Sequence, residues 1–277
     1  MRAITPTFSS TLEEHVGKNV VRKSAPFFVP SYTELVNEVA NLNWQNREFL
    51  LLYRGQSLDF LNKAGSSTYY PTIYRRDILT NQEIKARFDV LELAEYYLAD
   101  AFEQEEMEGR QDVWRKRYIA WSILQHYGVC DTPLLELTGS LRVAATFAQF
   151  NNPNEQGIIA VFGMPYITNR ITYNLEHDLV LVRLLSVCPP LALRPHFQEG
   201  YLAGTLDITN DYPNKSELDF NNRLVAKFAI PNDKTFWGKD FDRLPADLLF
   251  PPNDRMKKIC QTVKRQMIDY MKSVFVS

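Results

Sequence analysis

An arginine at the end of a short apolar run is the first residue here with the means to do chemistry. Phe49-Leu50-Leu51-Leu52-Tyr53 leads into Arg54 and Gly55, and a guanidinium placed where a buried strand stops can leave the core for a cleft. There it forks onto a phosphate or carboxylate through two parallel charge-assisted bonds, and Gly55 lets a ligand approach the backbone. The plain alternative is an arginine that pairs with an interior carboxylate and holds the sheet. His126 has an intrinsic pKa suited to a general base, but in the last turn of a helix it also answers the helix dipole. Glu136 interrupts the apolar run Leu134-Leu135-Glu136-Leu137, so it needs a partner, Arg54 or Arg75, whether or not chemistry follows. Gln198 either binds ligand amides or satisfies backbone groups at a strand edge. Tyr74 and Tyr127 offer rings for stacking, and a helix opening at Ser140 offers unsatisfied amides to an anion.

The elements that would position these residues follow from hydrophobic period and punctuation. Residues 1–30, broken by Pro6, Pro26 and Pro30, read as an irregular arm. Ser31-Tyr32-Thr33-Glu34 has the form of a capping box, opening a helix with Leu35, Val39 and Leu42 on one face. Phe49 to Gly55 reads as a buried strand. Gln82 to about Met107 is helical, ended by the acidic stretch from Glu103 to Glu108, and a second helix is expected from Asp112 to Tyr127, stopped by Gly128. On it Trp114 and Trp121 are assigned to the core. Leu134 to Leu137 is a short strand, followed by a helix with Val143, Ala144, Phe147 and Ala148 on one side. Gly157–Phe162, Leu179–Val187 and Leu224–Ile230 are further strands, the first two separated by a polar connection around Thr168 to Asp178. Asn253 to Val274 presents Met256, Ile259, Cys260, Val263, Met267, Met271 and Val274 at helical spacing, a docking face. The fold class is therefore α+β: a single domain, residues 31–277, with a central mixed or antiparallel sheet flanked by helices and the C-terminal helix docked on the core.

Composition narrows the function classes. With 277 residues and 45% hydrophobic content the chain can bury a sizeable core. Lys plus Arg number 31 against 33 Asp plus Glu, a formal charge of −2, so no whole-molecule field attracts nucleic acid or acidic membranes. Residues 1–30 lack a charged segment followed by an apolar run, which speaks against a secretory leader, and no stretch approaches the ~20 apolar residues of a spanning helix. Cys130, Cys188 and Cys260 are odd in number and lack CxxC spacing, which argues against a disulfide framework or a zinc site and for reduced thiols in a cytoplasm. No metal is expected.

Four segments, in order, resemble the FRG-domain family, named for an aromatic-Arg-Gly motif. Tyr53-Arg54-Gly55-Gln56 resembles that motif, and Tyr70-Pro71-Thr72-Ile73-Tyr74-Arg75 its following Pro-Ser/Thr-x-Tyr-Arg element. Leu124-Gln125-His126-Tyr127-Gly128 is similar to the family's most specific segment, and Thr132 to Ala148 follows its course of loop, apolar-acidic pair, Thr and helix. Arg194 with Phe197-Gln198-Glu199-Gly200-Tyr201, Ile230-Pro231 and Leu249-Phe250-Pro251 match later elements, so the likeness runs from about Phe49 to Lys258. The chain departs from the family at Pro133, Glu136 and Leu137, where Arg, Asp and Trp are common; Glu136 keeps the carboxylate one methylene further out. The resemblance implies a pocket that also includes Tyr53, Gln56, Arg75, Gln125, Thr138 and Arg194.

A more distant likeness, to ADP-ribosyltransferases, rests on the strand-end Tyr-Arg-Gly and the Ser/Thr segment before an Ala-x-x-Phe-Ala helix. It implies NAD as substrate, with Arg54 on its phosphate. The carboxylate it offers is Glu199; the position two residues later, where the catalytic Glu of such transferases falls, is Tyr201. The expected function is that of an NAD-consuming or ADP-ribosyltransferase-like protein, with Arg54, His126, Glu136, Gln198 and Glu199 as its catalytic set. Toxin or phage-defence systems are the context the resemblance implies. Its partners would be a nucleotide-like small molecule and a protein or nucleic-acid target. A non-catalytic nucleotide or nucleic-acid binder using Arg54 and Arg75 stands beside it, with a nuclease using His126 and Glu136 third.

Overall fold

The computed structural model describes residues 1–75, 80–206 and 215–275, the last three without side chains. The first elements are α1 (Ser10–Val16), β1 (Phe27–Phe28), α2 (Tyr32–Gln45), β2 (Leu50–Gln56), α3 (Asn81–Gln104), α4 (Arg110–Arg115) and α5 (Arg117–His126). They are followed by β3 (Leu135–Thr138), α6 (Leu141–Gln149), β4 (Gln156–Met164), β5 (Ile171–Asn174), β6 (Leu179–Arg183), α7 (Leu184–Val187) and α8 (Arg194–Gln198). The chain closes with β7 (Gly200–Thr205), β8 (Leu224–Pro231), α9 (Ala246–Leu249) and α10 (Arg255–Phe275). The strands form one mixed sheet in the order β1-β8-β4-β2-β3-β7-β6-β5. Only β1, parallel to β8, departs from antiparallel pairing among them. Among the described residues no helix is long and apolar enough to cross a membrane.

Alternation along β2 assigns its residues to two faces. Leu51 and Tyr53 face a core shared with α2 and α6, while Leu52 packs on the other face with Leu135, Leu137, Phe162 and Leu181. Beyond β3 the first of these faces is covered by α3, α5 and α10, through Leu91, Leu98, Ile123, Leu124, Met256 and Val263. Cys260 and Met267 lie in that same core, as the docking face of the last helix requires, whereas the side chain of Val274 lies outside the described residues.

Three expectations need correction. Residues 1–30 are not an irregular arm throughout: α1 is capped by the Ser9 side chain and buries Leu12 and Val16, and β1 joins the sheet. The helix expected over 112–127 is two helices, broken at Lys116, whose φ of −128° and ψ of 89° are not helical. The break resets the helical phase, so Trp121 is buried but Trp114 turns outward, 50% exposed, edge-on to Tyr96. The polar connection between β4 and β6 contains β5, and β6 ends at Arg183, with α7 in place of its expected continuation. Ser31 accepts a bond from the Glu34 amide. A reciprocal box stands at Thr80, whose hydroxyl accepts from the Glu83 amide at 3.2 Å while the Glu83 carboxylate accepts from the Thr80 amide at 2.8 Å. Thr80→Ala is expected to cost about 1 kcal/mol, read as a lower urea midpoint with unchanged slope.

Candidate functional site

The sheet splays where β2 meets β3. The two strands are paired only at Tyr53 and Thr138, and into the opening beyond that pair goes the side chain of Arg54. Its Nη1 donates to the backbone carbonyl of Glu136 at 2.7 Å. Among the described residues it makes no ion pair, although the Glu136 carboxylate is near enough to act on its charge. Burial, and then the neighbouring Arg75, push its pKa down to about 10, against the pull of Glu136 and Tyr69.

Arg54 lines two cavities. The larger, about 350 Å³, is walled by Gln56, Phe60, Leu61, Tyr69, Tyr70, Arg75 and Lys215 among others, and no carboxylate is among its described lining residues. Arg75 donates through Nε to the Tyr70 carbonyl at 3.0 Å, and Lys215 Nζ lies 4.7 Å from the centre of the Tyr70 ring. The Tyr69 hydroxyl and the Gln56 amide nitrogen are out of reach of water and have no hydrogen-bond partner among the described residues. Such orphans are rare in folded proteins. The smaller cavity, about 150 Å³, is lined by Tyr53, Arg54, Gly55, Glu136, Thr138, Phe147 and Gln198, among others.

The wall of the larger cleft is held by a network that the sequence did not disclose. The buried Lys227 on β8 donates to Asp59 Oδ2 at 2.7 Å, to Ser67 Oγ at 2.6 Å and to the Ser24 carbonyl at 2.7 Å. All three ammonium protons are thereby used, and the loop between β2 and Tyr69 is tied to the sheet. The buried Asp219 accepts from the Tyr69 amide at 2.8 Å and fixes the other end of that loop.

Glu136 is partnered by α5, which covers the same face of the sheet. His126 Nδ1 and Glu136 Oε1 lie 2.5 Å apart. Burial raises the carboxyl pKa, but His126, Arg54 and Arg194 together outweigh it and hold Glu136 below its usual range. His126 has no exposed side-chain surface, and its Nε2 has no hydrogen-bond partner among the described residues. The nucleus of the arrangement is thus Arg54 and Glu136, the one touching the other's backbone and the second kept ionised by an imidazole. Gln198 turns its amide nitrogen to the Leu249 carbonyl at 2.7 Å, and Thr138 donates to the Gln198 carbonyl at 2.7 Å. Both still line the smaller cavity.

Other candidates fall elsewhere. Gly55 lines the smaller cavity, but the Cβ it lacks would sit 1.8 Å from the Ala144 carbonyl oxygen, so its hydrogen is what lets α6 lie on β2. Tyr74 is 1% exposed and packs in the helical core beside Phe88, closed to stacking. The Tyr127 hydroxyl donates to Asp254, and its ring is covered by Arg194. Arg194 itself donates to the His126 carbonyl at 3.1 Å and supports α5 instead of lining either cavity. Gln125 accepts from Thr132 and Thr72 and faces a separate cavity beside α10. Ser140 uses its hydroxyl to cap α6. Glu199 is exposed, in a left-handed turn with φ 45°, and lines neither cavity. Burial therefore leaves Glu136, not Glu199, as the carboxylate beside Arg54.

No family model, curated protein or solved structure matches this chain. Among the described residues no three His, Cys, Asp or Glu side chains are grouped to hold a metal ion.

Proposed function

We propose that this chain is an FRG-like protein that binds NAD across the splay between β2 and β3 and cleaves its nicotinamide–ribose bond. The observation that carries the reading is Arg54, a guanidinium with no ion pair among the described residues, lining one cavity with Arg75 and bounding the Glu136 cavity on the other side. The Arg75 charge adds to burial in lowering the proton affinity of Arg54, and such a like-charge neighbour favours a ligand that brings an anion. A pyrophosphate on Arg54 places the adenosine beside Phe60 and Tyr70 and the nicotinamide ribose toward Glu136. The C1′–N bond breaks heterolytically and its electron pair leaves with neutral nicotinamide. The Glu136 carboxylate stabilises the cationic ribose, His126 holds that carboxylate in place and ionised, and water or an acceptor adds at C1′ with loss of a proton. In this reading the protein works in the cytoplasm, in the toxin or phage-defence setting that the resemblance implies, and the acceptor is a protein or nucleic acid.

The test is nicotinamide release from NAD by the purified chain, with NAD binding followed by calorimetry. Arg54→Ala is expected to weaken binding by about tenfold to a hundredfold, the range for a charge-assisted fork onto phosphate. Binding without turnover would make the chain a nucleotide-binding module, and absence of both would overturn the proposal.

A further inference from the structure

Two polar groups that the fold leaves unbonded stand beside Arg54 in the larger cleft. Alternation along β2 puts Leu52, Arg54 and Gln56 on one face, and Leu52 packs there in the same core as Tyr69. Arg54, Gln56 and Tyr69 all line the cleft of about 350 Å³. Tyr69 is 3% exposed, its ring edge-on to Phe162 and its amide held by Asp219 at 2.8 Å. Its hydroxyl and the Gln56 amide nitrogen have no hydrogen-bond partner among the described residues. Arg54 and the hydroxyl act on each other's proton affinity, yet no hydrogen bond joins them. Asp59, which also acts on the hydroxyl, is paired with Lys227 at 2.7 Å. Burial first, then Asp59, push the Tyr69 pKa well above its ordinary value, against the pull of Arg54, so the phenol keeps its proton at neutral pH. A guanidinium, an amide N–H and a phenolic O–H are all donors, and the group that accepts from several donors at once is a phosphate.

Resting on the reading that a dinucleotide binds here, we infer that Tyr69 and Gln56 are phosphate-binding residues, which with Arg54 form a donor-only subsite for the pyrophosphate of the ligand. Neither orphan atom is reached by water. A phosphate oxygen is therefore admitted as the Gln56 side chain, which no hydrogen bond holds among the described residues, turns aside. The donors are already desolvated by the fold, and a bond they form to an anionic oxygen in such surroundings is stronger than the same bond in water.

Calorimetric titration of the full chain with NAD and with inorganic pyrophosphate tests the assignment, on the wild type, Tyr69→Phe and Gln56→Glu, with urea unfolding of each beside it. Tyr69→Phe removes only the hydroxyl. It is expected to bind NAD and pyrophosphate about tenfold more weakly, the worth of one hydrogen bond to a charged group. Its urea midpoint should stay or rise, because the atom removed has no bond to lose. Gln56→Glu keeps the shape but sets an anionic oxygen against the phosphate, and should weaken binding further. A hydroxyl that served Asp59 in the fold would instead lower the midpoint of Tyr69→Phe. That result, or affinities unchanged in either variant, would overturn the subsite, and NAD binding by the wild type would keep the NAD reading standing. Pyrophosphate binding that weakens in Tyr69→Phe, with no binding of NAD, would uphold the subsite and overturn the dinucleotide reading. Binding of neither ligand would sink both.

Discussion

Glu136→Gln should lower nicotinamide release by about a hundredfold to a thousandfold, the loss typical of removing one group that stabilises charge in a transition state. The amide keeps the shape and the contact with His126 but not the negative charge, so the effect should fall on kcat more than on KM. An equal loss in Glu199→Gln would move the chemistry to the exposed turn and contradict the burial argument. A pH experiment separates the charge from the shape. Burial works to raise the Glu136 carboxyl, and His126 first, then Arg54 and Arg194, bring it below its usual range. Its folded pKa thus lies under the unfolded one. The stability it contributes is fully present above the unfolded value, and it is lost as pH falls through the folded value. Urea unfolding at about pH 7 and at about pH 2 to 3, below the ordinary Glu range, should therefore show the wild type losing stability on acidification, with the part due to this carboxyl missing from Glu136→Gln. A variant that follows the wild type across that window would show that the carboxylate is not held ionised by its neighbours.

Which parts of this arrangement the sequence discloses depends on how local their causes are. The strand β2 is legible because an uninterrupted apolar run ending in Arg-Gly admits few other readings, and α10 because Met256, Cys260, Val263 and Met267 keep one helical phase. By contrast, β7 carries Gly200 and Gly204, which weaken any strand signal. At the sheet edge, β5 pairs on one side only and turns Tyr173 to solvent, which leaves little apolar alternation to see. Trp114 and Trp121 look equivalent until the break at Lys116 sets them on different faces. The site follows the same division. Arg54 is placed by the end of its own strand, so its emergence into a cleft is readable. The partner of Glu136 is not, because the choice among His126, Arg54 and Arg75 depends on how α5 lies across β3. Tyr69 and Phe60 are placed by Lys227 and Asp219, more than a hundred residues away, and nothing in the local sequence carries that information.

Gly55→Ala is expected to destabilise the fold by more than about 3 kcal/mol, at or beyond the upper end of ordinary overpacking. The reason is the depth of the contact. A Cβ at position 55 would stand 1.8 Å from the Ala144 carbonyl oxygen and 2.7 Å from the Ala148 amide nitrogen, and neither is a side-chain end that can swing away. The helix α6 would have to withdraw as a body, yet Gly157 on β4 holds it by the same device, with a Cβ there meeting the Ala148 carbonyl oxygen at 2.4 Å. Two glycines on adjacent strands and the alanines of α6 thus form one close seam, and relaxing it at one point strains it at the other. Gly139→Ala serves as the comparison, since a Cβ there meets only the Tyr201 ring, at 3.1 Å, which can give way; it should cost far less. Denaturant unfolding of the two variants reads the difference directly. A stable, well-folded Gly55→Ala that had lost NAD binding would instead restore the glycine of the Tyr-Arg-Gly motif to the ligand, and the seam would not be what requires it. The seam also ties stability to chemistry: α6 bears Phe147, a wall of the Glu136 cavity, so milder strain at Gly55 should disturb that cavity before it unfolds the chain.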